Sequence, residues 1–456
     1  MDLFDPSDSR PIHFMGIGGA GMSALALIAR HRGVAVSGCD GDLSGAADVA
    51  GLGATIFQGH DSSHITGARA IVVTAAVPRD HPELSAARAA GVPVVPRKEA
   101  LARLISGGAT VAIAGTHGKT TTTVMTTLAL TAAGLGPTGL AGGRVPEWGG
   151  NAKLAGDRLF VVEADEYDQA FLALHPTTAV VNNVEADHLE CYGGVAELED
   201  AFVAFAGRAQ VTFLGANDDG ARRVGSRLSN EHWFFGTGDA DLALSAIEQL
   251  PGESRAQLRF PDGKSVLLRL LVPGLHNLRN AAAAMGVVWS LKADLDPALR
   301  ALHQYRGLGR RFERLGEYGG IELVDDYAHH HSELTATLSA ARQAFPGRRL
   351  VAVFQPHLYS RTAAHGVAMG QALAAADLVI VSEIYAAREQ PMPGVSGRQV
   401  ATAAQSAGAE TLFEPERDRL GRAVLAAIEP GDVVLTLGAG DITKVGRELA
   451  EWLRPA

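Results

Sequence analysis

Short runs of β-branched and apolar residues alternate along this chain with Ala- and Leu-rich stretches of helical period, beginning at Pro11. This alternation is typical of βαβ units, in which helices cover a parallel sheet. The predicted strands are 11–15, 34–38, 70–74 and 92–95 in a first block, 109–114, 159–163 and 178–182 in a second, and 321–325, 349–354, 377–382 and 432–437 in a third. A helix near 277–292 closes the second block. The pattern predicts an α/β protein.

Glycine-rich polar residues interrupt the pattern at 106–108 and 306–309. A chain of 456 residues is also too long for one hydrophobic core. We therefore predict three domains in series: a Rossmann-like domain at 1–107, a central α/β domain of the P-loop ATPase type at 108–309, and a second Rossmann-like domain at 310–456. In such domains ligands bind at the carboxyl ends of the strands.

Net charge, the length of apolar runs and the cysteine count limit the classes of function that this chain can have. A net charge of -10 disfavours a nucleic-acid surface, which needs clustered Lys and Arg. No apolar run approaches the roughly 18 residues of a membrane span, and the first residues lack the order of a secretory signal. The two cysteines, Cys39 and Cys191, form no CxxC pair and are interpreted as small buried side chains. We expect a cytosolic protein that binds neither membrane nor nucleic acid.

A glycine-rich turn follows the first predicted strand. Gly16, Gly18 and Gly21 give the spacing G-x-G-x-x-G before a helix, and Asp40 ends the next strand. Glycines let the backbone approach a pyrophosphate, whose charge is attracted by free amides and the helix dipole. Any nucleotide diphosphate satisfies this pattern, and by itself it favours a dehydrogenase. A merely structural strand-to-helix turn is the alternative.

A second phosphate-binding pattern opens the central block. The buried strand 110–114 runs into Gly115-Thr116-His117-Gly118-Lys119-Thr120-Thr121 and then a helix. Amides from Gly118 onward can wrap a phosphate, Lys119 can reach the outer phosphates, and the Thr120 hydroxyl can bind Mg²⁺. The general P-loop has a glycine where Ile113 stands, so this loop is shorter than usual.

Two further strands of this block end in polar residues. The strand 159–162 runs into Glu163, which is our first choice for a magnesium carboxylate. The strand 178–182 leads towards His188, a weaker candidate because imidazole is an unusual ligand for magnesium. The acidic side chains nearby are equally compatible with solvated loop charges; they are Asp165, Glu166, Asp168, Glu185 and Asp187.

The third block places charged residues in strand-to-helix turns. Asp325 and Asp326 precede three histidines, 329–331, and Ser332 is the predicted N-cap of a helix from about Leu334. Consecutive histidine side chains diverge, which disfavours a dedicated metal site. Arg361 follows the strand 349–354, where a guanidinium suits a carboxylate or phosphate, although a surface ion pair is as compatible. The turn 438–441 is interpreted as structural.

These residues together resemble the Mur ligase family over nearly the whole chain. The resemblance is carried by GIGGAGMS at 16–23, GTHGKTTTT at 115–123, VEADEYD at 162–168, NNVEADH at 182–188, GLHNLRN at 274–280, DDYAHHHSE at 325–333 and FQPHLYSRT at 354–362. Two positions depart from the pattern. His331 stands where many relatives have proline, and Leu358 stands where a basic residue is common in the alanine-adding subgroup.

The resemblance implies a role for each matched position. It implies UDP-sugar binding in the first domain by Gly18, Gly19, Gly21, Met22, Ser23, Asp40 and Thr74. It implies ATP binding by Gly115, Thr116, His117, Gly118, Lys119, Thr120, Thr121, Asn277, Asn280 and Asp326. It implies metal binding by Thr120, Glu163 and His188, and catalytic roles for Lys119, His188, His329 and Arg361.

The activity implied is ATP-dependent ligation of L-alanine to the lactyl carboxylate of UDP-N-acetylmuramate through an acyl phosphate, with Mg²⁺ or Mn²⁺ as cofactor. A ligase that adds a preformed peptide to the same UDP-sugar is the main alternative, since its nucleotide motifs would look alike. A dehydrogenase would leave the loop 115–121 without a role. A nucleotide sensor would not need the turns of the third domain. The enzyme is expected to be a monomer or weak homodimer.

Overall fold

The computed structural model describes residues 2–387 and 389–454. Three β-sheets with covering helices follow one another along the chain, which confirms the predicted three-domain α/β architecture. None of the helices described is both long enough and apolar enough to cross a membrane.

The first sheet is fully parallel, with strand order β3-β2-β1-β4-β5. This is a Rossmann-like order: from β1 the sheet grows through β2 and β3 on one side and then through β4 and β5 on the other. Its elements are β1 (Ile12–Met15), α1 (Ala20–His31), β2 (Val36–Asp40), α2 (Ala47–Gly51), β3 (Thr55–Gln58), β4 (Ala70–Val73), α3 (Pro82–Ala89), β5 (Val94–Pro96) and α4 (Arg97–Ile105).

The second sheet has ten strands in the order β15-β14-β13-β12-β11-β10-β6-β9-β7-β8. Its strands are β6 (Ala109–Ala114), β7 (Thr138–Val145), β8 (Gly150–Lys153), β9 (Leu159–Glu163), β10 (Thr178–Val181), β11 (Val211–Gly215), β12 (Glu231–Thr237), β13 (Leu242–Leu250), β14 (Glu253–Arg259) and β15 (Ser265–Leu270). Its helices are α5 (Lys119–Ala132), α6 (Val195–Ala206), α7 (Asp219–Gly225), α8 (Leu275–Ser290) and α9 (Leu295–His303).

The third sheet has the order β16-β17-β21-β18-β19-β20, parallel except for the hairpin β16-β17. Its strands are β16 (Glu313–Tyr318), β17 (Ile321–Asp326), β18 (Leu350–Phe354), β19 (Leu378–Val381), β20 (Glu410–Phe413) and β21 (Val433–Leu437). Its helices are α10 (His331–Ala344), α11 (Tyr359–Leu373), α12 (Gly397–Ser406), α13 (Arg417–Ala427) and α14 (Thr443–Trp452).

By compactness the chain divides into two units. One comprises Met1–Ala246, Ala256–Leu268 and Arg279–Gln304, and so joins the first domain to most of the central one. The other comprises Ile247–Arg255, Arg269–Leu278 and Tyr305–Ala456. The domain boundaries after residues 107 and 309 remain predictions.

Every predicted strand is present within about two residues, and the helix predicted at 277–292 is α8. The buried central strands were found because mainly apolar residues fill both of their faces, as in β6 and β10. The sequence missed β11, which is buried inside its sheet, and it missed strands that are partly exposed or lie at the sheet edges: β3, β7, β8, β12–β16 and β20.

Candidate active site

Three neighbouring strands bring the central motifs together. Strand β6 lies between β9 and β10, with Ile113 opposite Glu163 and Ala114 opposite Val181. The Asn182 amide continues this register by donating to the Ala114 carbonyl at 3.0 Å. The phosphate loop, Glu163 and the turn after Val181 therefore leave the sheet at the same edge, as expected for an open α/β sheet.

Tight backbone geometry shapes the loop Gly115–Thr121. Gly118 has φ 78° and caps α5. Position 118 favours glycine for this conformation, and a Cβ there would lie 2.9 Å from Asn280 Oδ1 and 3.0 Å from Asn182 Nδ2 and would displace these amides. The His117 amide donates to Asn183 Oδ1 at 2.7 Å. Thr116 and Thr121 are buried.

Lys119 is the first residue of α5, and its side chain folds back over the phosphate loop. Its Nζ donates to the Gly115 carbonyl at 2.7 Å and to both Glu166 carboxylate oxygens at 2.9 and 2.8 Å. Burial lowers the pKa of Lys119, but Glu166 and its acidic neighbours outweigh this and raise the pKa above its ordinary value. The amine therefore stays charged. Glu166 is only 2% exposed, so the alternative that it is a solvated loop charge is wrong.

Glu163 and Thr120 approach two adjacent glycines of β7. Glu163 Oε2 accepts from the Gly142 amide at 2.6 Å. A Cβ built on Gly143 would lie 3.7 Å from Thr120 Cγ2. Glu163 thus faces Gly142 and the Thr120 methyl group faces the next glycine, and the Glu163 carboxylate is an oxygen donor of the kind that a hard cation prefers.

His188 adopts a left-handed backbone conformation, with φ 53°. Its ring lies edge-on to Tyr167 at 5.2 Å and its nitrogens lie 3.8 Å from Asp187 and 3.5 Å from Glu190. None of these neighbours is a predicted metal ligand, so the role of His188 stays a prediction.

A cavity joins the glycine turn to the central site within the first compact unit. Its walls include Gly19, Gly21, Met22, Asp40 and Thr74 from the predicted UDP-sugar set. Glu163 and Asp165 line it from the central domain. Two members of the set lie outside its lining. Ser23 is buried and accepts from Asn151 Nδ2 at 2.9 Å, and Gly18 faces Asp42.

Gly18 and Asp40 form a contact that the sequence did not indicate. The Gly18 amide donates to Asp40 Oδ2 at 2.9 Å. A Cβ on Gly18 would lie 2.3 Å from the Asp42 carbonyl oxygen. The expectation that glycine is needed here for access to pyrophosphate is therefore corrected: the close neighbour is protein backbone, and this amide is already bonded.

In the second compact unit, Asp325 and Asp326 are buried at the end of β17. Asp325 accepts from Thr436 and Thr443 hydroxyls at 2.6 and 2.9 Å. Asp326 accepts from the Phe312 and Ala328 amides at 2.7 and 2.8 Å. Burial raises the pKa of Asp326 to about 6. Asp326 thus organises the turn, and its contact with ATP stays a prediction.

The prediction of Ser332 as N-cap is wrong. Helix α10 begins at His331, and His330 is its N-cap in a capping box with Glu333. His329 Nδ1 lies 2.9 Å from the Tyr327 carbonyl oxygen and 3.3 Å from Glu333. The histidine run therefore builds the entry to the helix.

Arg361 lies in the first turn of α11 and is 7% exposed, with Nη1 3.2 Å from His357 Nδ1. A surface ion pair is therefore excluded as its explanation. Leu358, the N-cap residue of this helix, is buried with φ 69°. A buried apolar side chain at this position offers no second cation beside Arg361.

The two asparagines of the GLHNLRN segment have different contacts. Asn280 lies against Gly118, at the phosphate loop. Asn277 Nδ2 donates to the Pro273 carbonyl at 2.7 Å and caps its own turn. Both are buried at 8% exposure, and their contacts with adenine stay predictions.

Three family models match the chain in order. They are the Mur ligase family catalytic domain at residues 11–108, the Mur ligase middle domain at 113–288, and the Mur ligase glutamate ligase domain at 310–440. The chain belongs to the Mur ligase family. The resemblance seen in the sequence is thereby confirmed.

This Mur ligase is similar over nearly its whole length to curated relatives. It is 41% identical to the UDP-N-acetylmuramate–L-alanine ligase of Cupriavidus necator, covering 96% of this chain and 95% of the relative. It is 42% identical to the enzyme of the same name from Cutibacterium acnes, covering 99% and 98%.

Solved structures agree with the architecture of this Mur ligase. The UDP-N-acetylmuramate-alanine ligase of Thermotoga maritima superposes with a TM-score of 0.82 at 30% identity, covering 97% of this chain and 98% of that one. A murein peptide ligase from Psychrobacter arcticus superposes with a TM-score of 0.73 at 24% identity, covering 98% and 99%. The latter likeness concerns the fold alone.

Sequence reasoning missed several residues at the site of this Mur ligase. Glu166 and Asn183 hold the phosphate loop, and Arg97 lines the cavity beside Gly21. Glu166 and Asn183 each follow a predicted strand end within three residues, which was an available signal. Arg97 carried none, because it begins a helix far from any motif.

Proposed function

We propose that this chain ligates L-alanine to the lactyl carboxylate of UDP-N-acetylmuramate at the expense of ATP, releasing ADP and phosphate. One observation carries the proposal: the glycine turn of the first domain and Glu163 of the ATP-binding domain line the same cavity. A UDP-sugar seated on that turn would extend its acid towards the phosphate loop. This arrangement supports phosphoryl transfer from ATP to the sugar acid.

In the first step the substrate carboxylate attacks the γ-phosphate of ATP and forms an acyl phosphate. Lys119 is charged and positioned over the loop, so it can neutralise the oxygens of the transferred group. ATP would compete with Glu166 and the Gly115 carbonyl for this amine.

We assign the divalent cation, Mg²⁺ or Mn²⁺, to Thr120 and Glu163, with His188 as a third ligand. The Glu163 carboxylate lines the cavity and offers the ion an oxygen donor, and the Thr120 side chain lies near Gly143, next to the glycine that Glu163 contacts. When bound, the cation supplies charge neutralisation on the phosphates.

In the second step the neutral amine of alanine attacks the acyl carbonyl and phosphate leaves. Arg361 is proposed to stabilise the oxyanion, because its guanidinium is buried at the amino end of a helix in the third domain. His329 is proposed to take the amine proton, and His188 is the alternative base in a state in which it does not hold the cation.

L-Alanine is proposed as the amine because the curated relatives that carry that name match this chain over 95% or more of their own length. A ligase for a preformed peptide remains the alternative. The two are separated by measuring ADP release with UDP-N-acetylmuramate and, in turn, L-alanine, glycine, L-serine and a tripeptide. L-Alanine should give the highest kcat/KM; faster turnover with the tripeptide would overturn the assignment.

We further propose that the enzyme acts in the cytosol as a monomer or weak homodimer, without nucleic acid or membrane. The absence of a spanning helix among the described residues and the net charge of -10 support this setting. Sedimentation with and without substrates tests the oligomeric state.

A further inference from the structure

A second cluster of metal-ligating side chains lies in the first domain and includes Cys39, the residue before Asp40 on β2. It combines His13 on β1, Cys39 on β2, His60 after β3 and Glu83 at the start of α3. The side chains of His13, Cys39 and Glu83 are fully buried. No step of the proposed ligation uses them.

The ligand atoms of His13, Cys39 and Glu83 all lie within 4.8 Å of one another, and His60 contacts Cys39 and Glu83. Cys39 Sγ lies 3.3 Å from His13 Nε2, 3.3 Å from His60 Nδ1 and 3.4 Å from Glu83 Oε2. His60 Nδ1 lies 3.6 Å from the same Glu83 oxygen. Tetrahedral zinc with bonds of about 2.0–2.3 Å separates its ligands by roughly 3.3–3.7 Å. These four spacings already match that range.

Glu83 is a fully buried acid whose carboxyl oxygens lie beside two imidazoles, 3.6 Å from His60 Nδ1 and 3.3 Å from His64 Nδ1. Burial of a carboxylate is costly, and a bound cation would offset that cost.

Outer contacts hold the ligands in place. His13 Nδ1 pairs with Ser37 Oγ at 3.0 Å, which turns Nε2 towards Cys39. The Asp61 amide donates to Glu83 Oε1 at 2.8 Å, and His64 Nδ1 lies 3.3 Å from that same oxygen. The other carboxyl oxygen of Glu83, Oε2, lies near Cys39 Sγ. Such fixed orientation is typical of metal ligands.

We propose that His13, Cys39 and Glu83 bind one Zn²⁺ ion, with His60 as the fourth ligand. The side chain of His60 is 37% exposed, so the ion can reach the cluster from solvent next to His60. Binding converts the Cys39 thiol to a thiolate and releases its proton to solvent. Sulfur and nitrogen ligands select zinc over magnesium, which distinguishes this site from that at Glu163.

The bound ion would stabilise the backbone next to the glycine-rich turn that is proposed to bind the UDP-sugar. The Cys39 carbonyl accepts from the Gly16 and Ile17 amides at 2.8 and 3.2 Å. Zinc would therefore fix the strand end that carries Asp40 and anchors the glycine turn. The role of this zinc ion is structural, since it would contact no reacting atom.

Cobalt substitution of the full chain tests the site. Co²⁺ reports a thiolate ligand through a sulfur-to-metal charge-transfer band, which ions bound by oxygen or histidine alone do not give. Cys191→Ser provides the matched control, because it removes the other cysteine. We expect one Co²⁺ per chain with this band in the wild type and in Cys191→Ser, displaced by Zn²⁺ and not by Mg²⁺.

The Cys39→Ser variant should lose the band, and Glu83→Gln should weaken zinc binding at least tenfold. Should either variant fail to fold, X-ray absorption of zinc-loaded Cys191→Ser decides, since its zinc shell must contain one sulfur. A wild-type protein without the band, or a zinc shell without sulfur, would overturn the proposal. Neither result depends on ligase activity, so the proposed function is tested separately.

Discussion

Lys119 and Glu166 form a buried ion pair across the phosphate loop, with Nζ 2.8 Å from the nearer carboxylate oxygen. The pair keeps the amine charged and points it at the loop carbonyls. The resting loop is therefore closed on itself. Substrate binding must exchange these contacts for phosphate oxygens.

Lys119→Ala should lower kcat by about two orders of magnitude or more, because one preorganised positive charge on the transferred phosphoryl group is lost. It also leaves Glu166 buried without its cation, at a cost of about 3–5 kcal/mol. The double variant Lys119→Ala, Glu166→Gln should recover stability without recovering activity. UDP-sugar affinity, measured by calorimetry, should hardly change in either. An active double variant would remove Lys119 from the chemistry.

Glu163→Gln should leave folding intact and raise the Mg²⁺ concentration needed for half-maximal activity. The amide keeps the size of the side chain and loses the charge that a hard cation prefers. Activity titrations with Mg²⁺ and Mn²⁺ measure the shift. Unchanged metal dependence would exclude Glu163 as a ligand.

Gly18→Val should abolish UDP-sugar binding while ATP binding persists. A Cβ at this position would lie 2.3 Å from the Asp42 carbonyl, so the turn must open and release Asp40. Gly41→Ala is the matched control, since a Cβ there meets nothing within 4 Å. Calorimetric titration of both variants with both ligands measures the effect. Loss of ATP binding in folded Gly18→Val would contradict the assignment of ligands to domains.

Asp326 should make the protein lose stability as pH rises through about 6, the value to which burial raises its pKa. The folded state keeps a proton there that the unfolded chain releases near pH 4. The contribution is thus complete below about pH 4 and lost above about pH 6, on the order of 3 kcal/mol.

Asp326→Asn does not titrate, so the difference in unfolding midpoint between wild type and variant measures this contribution. As the pH rises from about 4 to about 7, the wild type should lose stability relative to Asp326→Asn. A constant difference would show that Asp326 has an ordinary pKa.

Central strands and their terminal motifs could be predicted because burial on both faces leaves a continuous apolar run, as at 109–114. Strand β3 was missed because its residues are partly exposed and of mixed character. Glu163 was found by position at a strand end, whereas the pairing of Glu166 with Lys119 depends on a 3-10 turn that no local pattern encodes. The cluster around Cys39 escaped for a similar reason. Its contacting ligands lie 21 or more residues apart in the sequence, as Cys39 and His60 do, and only the fold joins them.

The acyl-phosphate mechanism is tested most directly by following oxygen from the substrate carboxylate. UDP-N-acetylmuramate whose lactyl carboxylate carries a heavy oxygen isotope is incubated with ATP, Mg²⁺ and L-alanine, and the released phosphate is analysed by mass spectrometry. With the isotope at both carboxylate oxygens, we expect one labelled oxygen in each phosphate, together with ADP and UDP-N-acetylmuramoyl-L-alanine. Formation of that product with unlabelled phosphate, or ADP release without ligation, would contradict it.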